Sequence, residues 1–336
     1  MEKGPFKLIA VLIVLTGLTS CYSVSTYYIS VLHPAEITLP PGIRNVSICP
    51  GTKARHPGKG KLDSLDNIRL NQDIYYYDHC KEYLNGLAEI LAYSPRFDKV
   101  VVRDSVPAPD SEADSLSWSD IIGICRVDST DALVALEYFY LTDIFDINNF
   151  FDLGCTIVYS IINYSAWKIY NPRDFNIADD YILRDTLYWE KDDFYCDNAL
   201  RKFPESTAII DESFYMAGNK YGLRMAPLWD DNIERKYYSA GNKRLRDAAI
   251  HVKRNQWSEA IELWRSLSGH PNKILASKAC HNMALACETE DKPELALEWA
   301  KKSYSLYRNP ASAAYIKILA GRIKDKEKLD SQMLNN

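Results

Sequence analysis

Cys280, His281 and Cys287 fall within eight residues of one another, and residues seven apart return to the same helix face, so the two thiols could serve a metal. His281 points elsewhere, however, and no second ligand pair stands at zinc-like spacing, so we read these as buried side chains of a helix. His79 and Cys80 would be a base and a nucleophile, but adjacent helical residues face different directions. Asp179-Asp180, Asp192-Asp193 and Asp230-Asp231 supply carboxylates in pairs. Glycoside hydrolysis needs two such groups on opposite sides of a sugar, which adjacency does not provide, and all three pairs read as turns or helix starts. The chain has no Gly-rich phosphate loop, no His-Glu-x-x-His and no nucleophile elbow. We therefore expect a non-enzymatic protein with no catalytic residue, no metal and no cofactor.

One cysteine does stand where a defined chemistry awaits it. Lys3 and Lys7 precede an apolar run from Leu8 to Leu18, too short to span a bilayer but the length of a secretory signal core. The run ends in Leu18-Thr19-Ser20-Cys21, which resembles the bacterial lipobox. That resemblance implies a signal peptide over 1–20 and a mature chain beginning at an acylated Cys21. At about 0.8 kcal/mol per buried methylene, several acyl chains would hold the protein on a membrane without spanning it. Tyr22 stands where inner-membrane retention often uses Asp, which points to the outer membrane. No acidic run follows Cys21, which points to the periplasmic face. The best later apolar run, Cys155 to Ile162, is far too short to cross.

These groups must be positioned by ordinary globular structure. The composition is 47% apolar and 25% charged, which excludes collagenous and disordered classes, and 336 residues suggest two folded units. Seven cysteines remain beyond Cys21, an odd number that argues against a full disulfide framework. Mostly buried thiols are expected, with one or two pairs possible in an oxidising compartment.

From Val24 to about Leu223 the pattern mixes strand and helix periods. Tyr27–Leu32 and Asn45–Cys49 read as strands, Asp73–Tyr93 as a helix, Lys99–Arg103 as a strand and Ser119–Val127 as a short helix. Ala132–Leu141, apolar on both faces, predicts a central strand. Thr156–Tyr170 and Tyr181–Glu190 alternate as antiparallel strands joined through Asn171–Asp180, and Glu205–Tyr221 predicts a helix over the sheet. Strand signals cease after Trp229, and helices follow to about Lys328.

That last third repeats. A shift of 36 carries Ala248 onto Ala284 and Ala320, Ala260 onto Ala296, and Asn255-Gln256-Trp257 onto Asp291-Lys292-Pro293. Each repeat then reads as helix, tight polar turn and second helix, near the 34-residue period of a tetratricopeptide repeat, with small residues where paired helices cross. Asn309-Pro310 starts a helix that would cap the stack. The fold class is therefore α+β: a mixed-sheet α/β domain over 21–228, an all-α tetratricopeptide-like domain over 229–328, and a flexible tail over 329–336.

Together with the lipobox, the segments His33-Pro34-Ala35-Glu36-Ile37, Ala132-Leu133-Val134-Ala135-Leu136-Glu137, Asn255-Gln256-Trp257-Ser258-Glu259-Ala260-Ile261 and Asn282-Met283-Ala284-Leu285-Ala286 resemble an uncharacterised family of Bacteroidota lipoproteins. The likeness implies an envelope location and a two-domain plan over nearly the whole mature chain, and no activity. The front domain also looks similar to α/β domains of other outer-membrane lipoproteins that assist secretion or cell-wall synthesis, an analogy of fold alone.

Charge divides with the domains. Residues 240–336 hold 17 Lys and Arg against 11 Asp and Glu, while the rest hold 23 against 34. Basic repeats suit an acidic protein or peptide partner of the envelope, and Arg246, Lys253, Lys278 and Asn282, on the first helices of the repeats, are the expected partner-binding residues. A periplasmic location excludes nucleic acid. The alternative is glycan binding or processing, since 23 tyrosines could supply sugar-stacking platforms, although strand and core burial accounts for most of them. Trp229, Tyr237 and Tyr238 would form such a wall near the domain junction. Five triplets, Asp63-Ser64-Leu65, Asp104-Ser105-Val106, Asp114-Ser115-Leu116, Asp128-Ser129-Thr130 and Asp185-Thr186-Leu187, resemble a short O-glycosylation pattern.

Overall fold

A computed structural model describes residues 24–51, 80–104, 116–150 and 154–333. Cys21, the signal segment, residues 73–79 of the first expected helix and the serines of the first three glycosylation triplets lie outside the described residues. The chain divides into two compact units. One comprises Met1–Val31 and Asp230–Glu327, and the other Leu32–Trp229 and Lys328–Asn336.

The second unit is built on a five-stranded sheet. Its elements are β2 (Asn45–Pro50), α1 (Lys81–Tyr93), β3 (Lys99–Val102), α2 (Trp118–Asp128), β4 (Ala132–Phe150), β5 (Gly154–Asn171), β6 (Asn176–Asp193), α3 (Cys196–Arg201) and α4 (Ser206–Met225). The strand order is β3-β2-β4-β5-β6, with β2 parallel to β3 and β4 and the remaining pairs antiparallel. Ala132–Leu136 is buried throughout because helices cover both faces here: Val134 and Leu136 join the core under α1 and α4, while Leu133 and Ala135 meet Ile121 and Ile124 of α2. Past a shift of register at Leu136/Tyr138, β4 runs on to Phe150 against β5, nine residues beyond the expected end. There Ile157, Tyr159 and Ile161 face the core and alternate with partly exposed Thr156, Val158 and Ser160, so the described residues cover one face alone. The connection from β5 to β6 is only Pro172–Phe175, shorter than the expected Asn171–Asp180.

Helices α1 and α4 meet at two glycines. A Cβ on Gly86 would stand 2.1 Å from the Tyr215 carbonyl oxygen, and one on Gly218 would stand 2.0 Å from that of Tyr83, so neither position admits a side chain at this separation. Below them Tyr83 stacks on Phe214 and Trp167 on Tyr221, with centroids 4.3 and 4.7 Å apart. This core absorbs several of the tyrosines. A disulfide between Cys155 and Cys196 ties the start of β5 to α3, and Cys49, Cys80, Cys125, Cys280 and Cys287 are buried thiols.

The tail expected to be flexible from 329 is helical through Met333. Gln332 is buried because its carboxamide accepts from the Ala35 N–H and donates to the carbonyls of Ala35 and Ile37, each at 3.0 Å. Side-chain amides here satisfy backbone groups that no strand pairs.

The other unit combines β1 (Val24–His33) and β7 (Leu228–Tyr238), paired as a two-stranded sheet, with α5 (Lys243–Lys253), α6 (Trp257–Leu267), α7 (Lys273–Thr289), α8 (Pro293–Leu306) and α9 (Pro310–Met333). Two expectations are corrected here. The first strand does not join the large sheet, because Ile29 and Val31 bury against Tyr237, Leu245 and Ala248. Nor do strands cease at Trp229: Ile233, Arg235 and Tyr237 turn inward between exposed Glu234 and Lys236, and these charges conceal the period of two. Asn255 and Asp291, 36 residues apart, hold the same left-handed backbone, with φ of 57° and 55°, and each closes the turn between two helices. Ala248, Ala260, Ala284 and Ala296 are all fully buried. The chain is an α+β protein.

Candidate functional site

In the helical unit β7 and α9 stand across a groove. Glu234, Arg235 and Lys236 form one wall, Ala311, Ala314 and Ile318 the other, and the buried rings of His281 and Tyr315 lie between them. The cavity measures about 220 Å³. Ile318 is 45% exposed, a large apolar side chain at the rim.

Beneath the groove lies an ionic cluster. Glu288, near the end of α7, is fully enclosed and accepts from Arg235 Nε and Nη2 at 2.8 Å each, from Tyr315 Oη at 2.5 Å and from Arg322 Nη1 at 3.1 Å. Burial alone would raise the Glu288 pKa, but the bonds from Arg235, Tyr315 and Arg322 bring it below the ordinary carboxylate value. Burial and the adjacent carboxylate push the Tyr315 hydroxyl well up. Glu288 is therefore an ionised acceptor, fixed in place, with little capacity to move a proton.

His281 lies beside this cluster. Its Nε2 is 3.1 Å from the Lys236 carbonyl, which can only accept, so Nε2 carries the proton. Nδ1 then faces the Ser312 hydroxyl at 3.1 Å. Burial lowers the histidine pKa, partly offset by the Lys236 carbonyl. A serine hydroxyl beside a neutral imidazole is the spacing of an activated nucleophile. Ser312 is nevertheless fully buried, and its oxygen also lies 2.7 Å from Ser303 Oγ, so a substrate has no path to it. The arrangement holds β7, α7 and α9 together and leaves the groove above open for binding.

Four residues were expected to bind a partner. Arg246 and Lys253 are exposed on α5, and neither lines the groove. Lys278 lies 5.2 Å from the centre of the Tyr238 ring. Asn282 is a correction: it is fully buried, and its carboxamide accepts from the Tyr238 N–H and donates to the Tyr238 carbonyl, both at 2.7 Å. Its polarity serves the backbone.

The aspartate pairs also resolve into local roles, on strands instead of the expected turns. Asp179 takes a two-point contact from Arg224 at 2.9 and 3.1 Å, and Asp180 lies 3.8 Å from Lys168. Asp193 binds Lys202 and accepts from the Tyr195 N–H, which pulls its pKa down to about 2. Asp230 accepts from the Asn232 N–H. Of the proposed aromatic wall, Tyr237 is buried and Trp229 exposed.

The ionic cluster of Arg235, Glu288, Tyr315 and Arg322 was not foreseen, yet the 36-residue offset carried a signal. One period of 36 before His281 stands Leu245, and one period before Glu288 stands Val252, both buried apolar residues. A histidine and a glutamate 36 residues after buried apolar positions are buried polar groups that need partners.

A family model spans residues 43–238, more than half of the chain, from just before β2 through β7. The chain belongs to the family described as Domain of unknown function (DUF8603). A second model, Domain of unknown function (DUF6340), matches residues 246–321, from α5 into α9. No curated protein matches this DUF8603 chain. The boundary between the two matches falls after β7, so the strand wall of the groove lies in the DUF8603 match and all of its helical wall in the DUF6340 match.

Proposed function

We propose that this protein is a lipid-anchored envelope adaptor whose helical unit is a tetratricopeptide-like module that binds a segment of another protein in the β7–α9 groove. One observation carries the reading: an open groove with an exposed apolar rim stands over groups already bound to one another. Glu288 is held by two arginines and a tyrosine, and His281 by a carbonyl and a hydroxyl. Such a floor offers shape and fixed charge, as a binding site does, and no free acid, base or nucleophile. The identical left-handed turns at Asn255 and Asp291 and the four buried alanines support the tetratricopeptide assignment. The lipobox-like Leu18-Thr19-Ser20-Cys21 supports the anchor, with an outer-membrane, periplasm-facing location following from Tyr22 and the lack of an acidic run. Among the described residues no helix is long and apolar enough to cross a membrane.

The test is chemical crosslinking of the tagged full chain in living cells, followed by mass spectrometry, with Ile318→Arg and Cys21→Ala forms alongside. A protein partner reproducibly captured by the native chain and lost with Ile318→Arg supports the groove. Equal capture by both forms removes it. Loss of palmitate labelling in Cys21→Ala supports the anchor, and retained labelling removes it.

A second reading, glycan recognition, rests on the part of the large sheet's α2 face that no described helix covers. Tyr140 and Tyr164 stack there at 4.4 Å, and Arg184 donates to Tyr164 Oη at 3.1 Å. A polysaccharide pull-down that fails with Tyr140→Ala would favour it, and indifference to that change would remove it.

A further inference from the structure

We propose that the exposed face of α5 lies on the anionic headgroups of the membrane that holds the protein, and so sets the orientation of the helical unit there. This inference rests on the lipid anchor at Cys21 proposed above.

The helix is amphipathic. Leu245, Ala248, Ala249 and Val252 bury its inner face. At 3.6 residues per turn, Lys243, Arg246, Ile250, Lys253 and Arg254 fall within about 100° of arc on the outer one. All five are exposed, and Ile250, at 48% exposure, stands in the middle of the four cations. None of the four forms an ion pair with a described residue. The one acid of this helix, Asp247, is half-buried at the margin of the arc, so four cations stand against one carboxylate. Cations around an exposed isoleucine fit a layer of anionic headgroups, with the charges at the phosphates and the apolar side chain at the acyl boundary.

An acidic protein would also complement these charges, and the tether decides between the two. Ser25 Oγ lies 2.8 Å from Ser239 Oγ, four residues ahead of Lys243. The Tyr27 ring meets that of Trp257, which opens α6 just after α5, with centroids 4.8 Å apart. Residues 25–27 therefore lie close to the segments that lead into and out of α5. Cys21 stands four residues before Ser25, and four residues span at most about 14 Å. An acyl chain on Cys21 thus keeps α5 beside the bilayer at a high local concentration of headgroups. A patch too small to hold a free protein still orients a tethered one.

The experiment uses the lipidated full chain carrying Ile250→Cys, extracted from bacterial membranes in detergent. It is inserted into preformed vesicles of phosphatidylcholine, alone or with about 30% phosphatidylglycerol. Flotation reads the anchor. The rate at which a maleimide linked to polyethylene glycol modifies the introduced thiol reads the contact, since the free cysteines among the described residues are buried. We expect flotation with both vesicles and modification at least about threefold slower with phosphatidylglycerol. Salt at about 0.5 M should restore the rate, as should Arg246→Glu together with Lys253→Glu, and Glu294→Cys on α8 should react alike on both vesicles. Flotation with equal rates at position 250 would overturn the contact and leave the anchor standing. A slower rate that survives the double substitution, or one matched at position 294, would overturn the assignment to α5. Equal rates in vesicles, with a protein adduct from a photoreactive residue at 250 in living cells, would give the stripe to an acidic protein instead. No flotation with either vesicle would overturn the anchor and the contact together.

Discussion

The Asn282 carboxamide meets the Tyr238 backbone twice, as acceptor from its N–H and donor to its carbonyl, both at 2.7 Å. One side chain on a helix thus does what a neighbouring strand would do at the end of β7. Gln332 treats Ala35 in the same way in the sheet unit.

Asn282→Ala strips both bonds from buried backbone groups. At about 1–3 kcal/mol for each group left unsatisfied, we expect a loss of about 2–4 kcal/mol, read as a lower urea midpoint for the helical unit. Asn282→Asp keeps only the acceptor. A midpoint equal to wild type in the alanine form would show that water replaces the side chain.

Glu288→Ala leaves the Arg235 guanidinium without a carboxylate and Arg322 with Asp291 alone. Removing one partner of a buried ionic cluster costs about 3–5 kcal/mol, whereas replacing the cluster by apolar residues of similar size is often neutral. We therefore expect Glu288→Leu with Arg235→Met and Arg322→Met to recover most of the loss in thermal unfolding.

In the helical unit two groups set the acid response. The Glu288 pKa is lowered on folding, so its contribution is full above the unfolded carboxylate value of about 4.3 and is lost as pH falls through the folded one. His281 is also lowered, so between its folded value and about 6.5 the unfolded chain binds the extra proton. Stability should therefore decline from pH 7 toward pH 5, then fall again below about pH 4. His281→Gln should flatten the first decline in a urea titration across pH and leave the second.

The Cys155–Cys196 disulfide closes a separation of 41 residues, for which chain entropy corresponds to about 4 kcal/mol. Reduction under native conditions should lower the melting temperature of the sheet unit and leave that of the helical unit unchanged, as calorimetry can resolve.

Gly218→Ala sets a methyl group against the Tyr83 carbonyl oxygen, a backbone atom that can yield only if α1 moves. We expect a loss of about 1–3 kcal/mol, the usual cost of overpacking, against near-neutrality for Gly123→Ala, where nothing stands within 4 Å.

Much of the architecture was legible because its cause is local. The apolar run at Ala132–Leu136 marked a strand covered on both faces, and the turns at Asn255 and Asp291 announced themselves through a shared offset. β7 was illegible because exposed Asp231, Glu234 and Lys236 interrupt its pattern and Arg235 occupies its inner side, where Glu288 neutralises it. The placement of β1 depends on Ile29 and Val31 finding Tyr237, more than 200 residues away, and no window of sequence contains that contact. Asn282 looked like a surface residue by type, since burial of an amide depends on a partner that only the fold supplies. The groove was half visible, in the polar residues that replace Leu245 and Val252 one period later.

The most direct test of the groove is site-specific photo-crosslinking in living cells, with the photoreactive residue at Ala314 and a control at exposed Glu294 on α8. A discrete protein adduct at position 314, absent at 294 and abolished by Ile318→Arg, is the predicted result. No adduct at 314, or the same adducts at both positions, would contradict the assignment of this groove as the binding site.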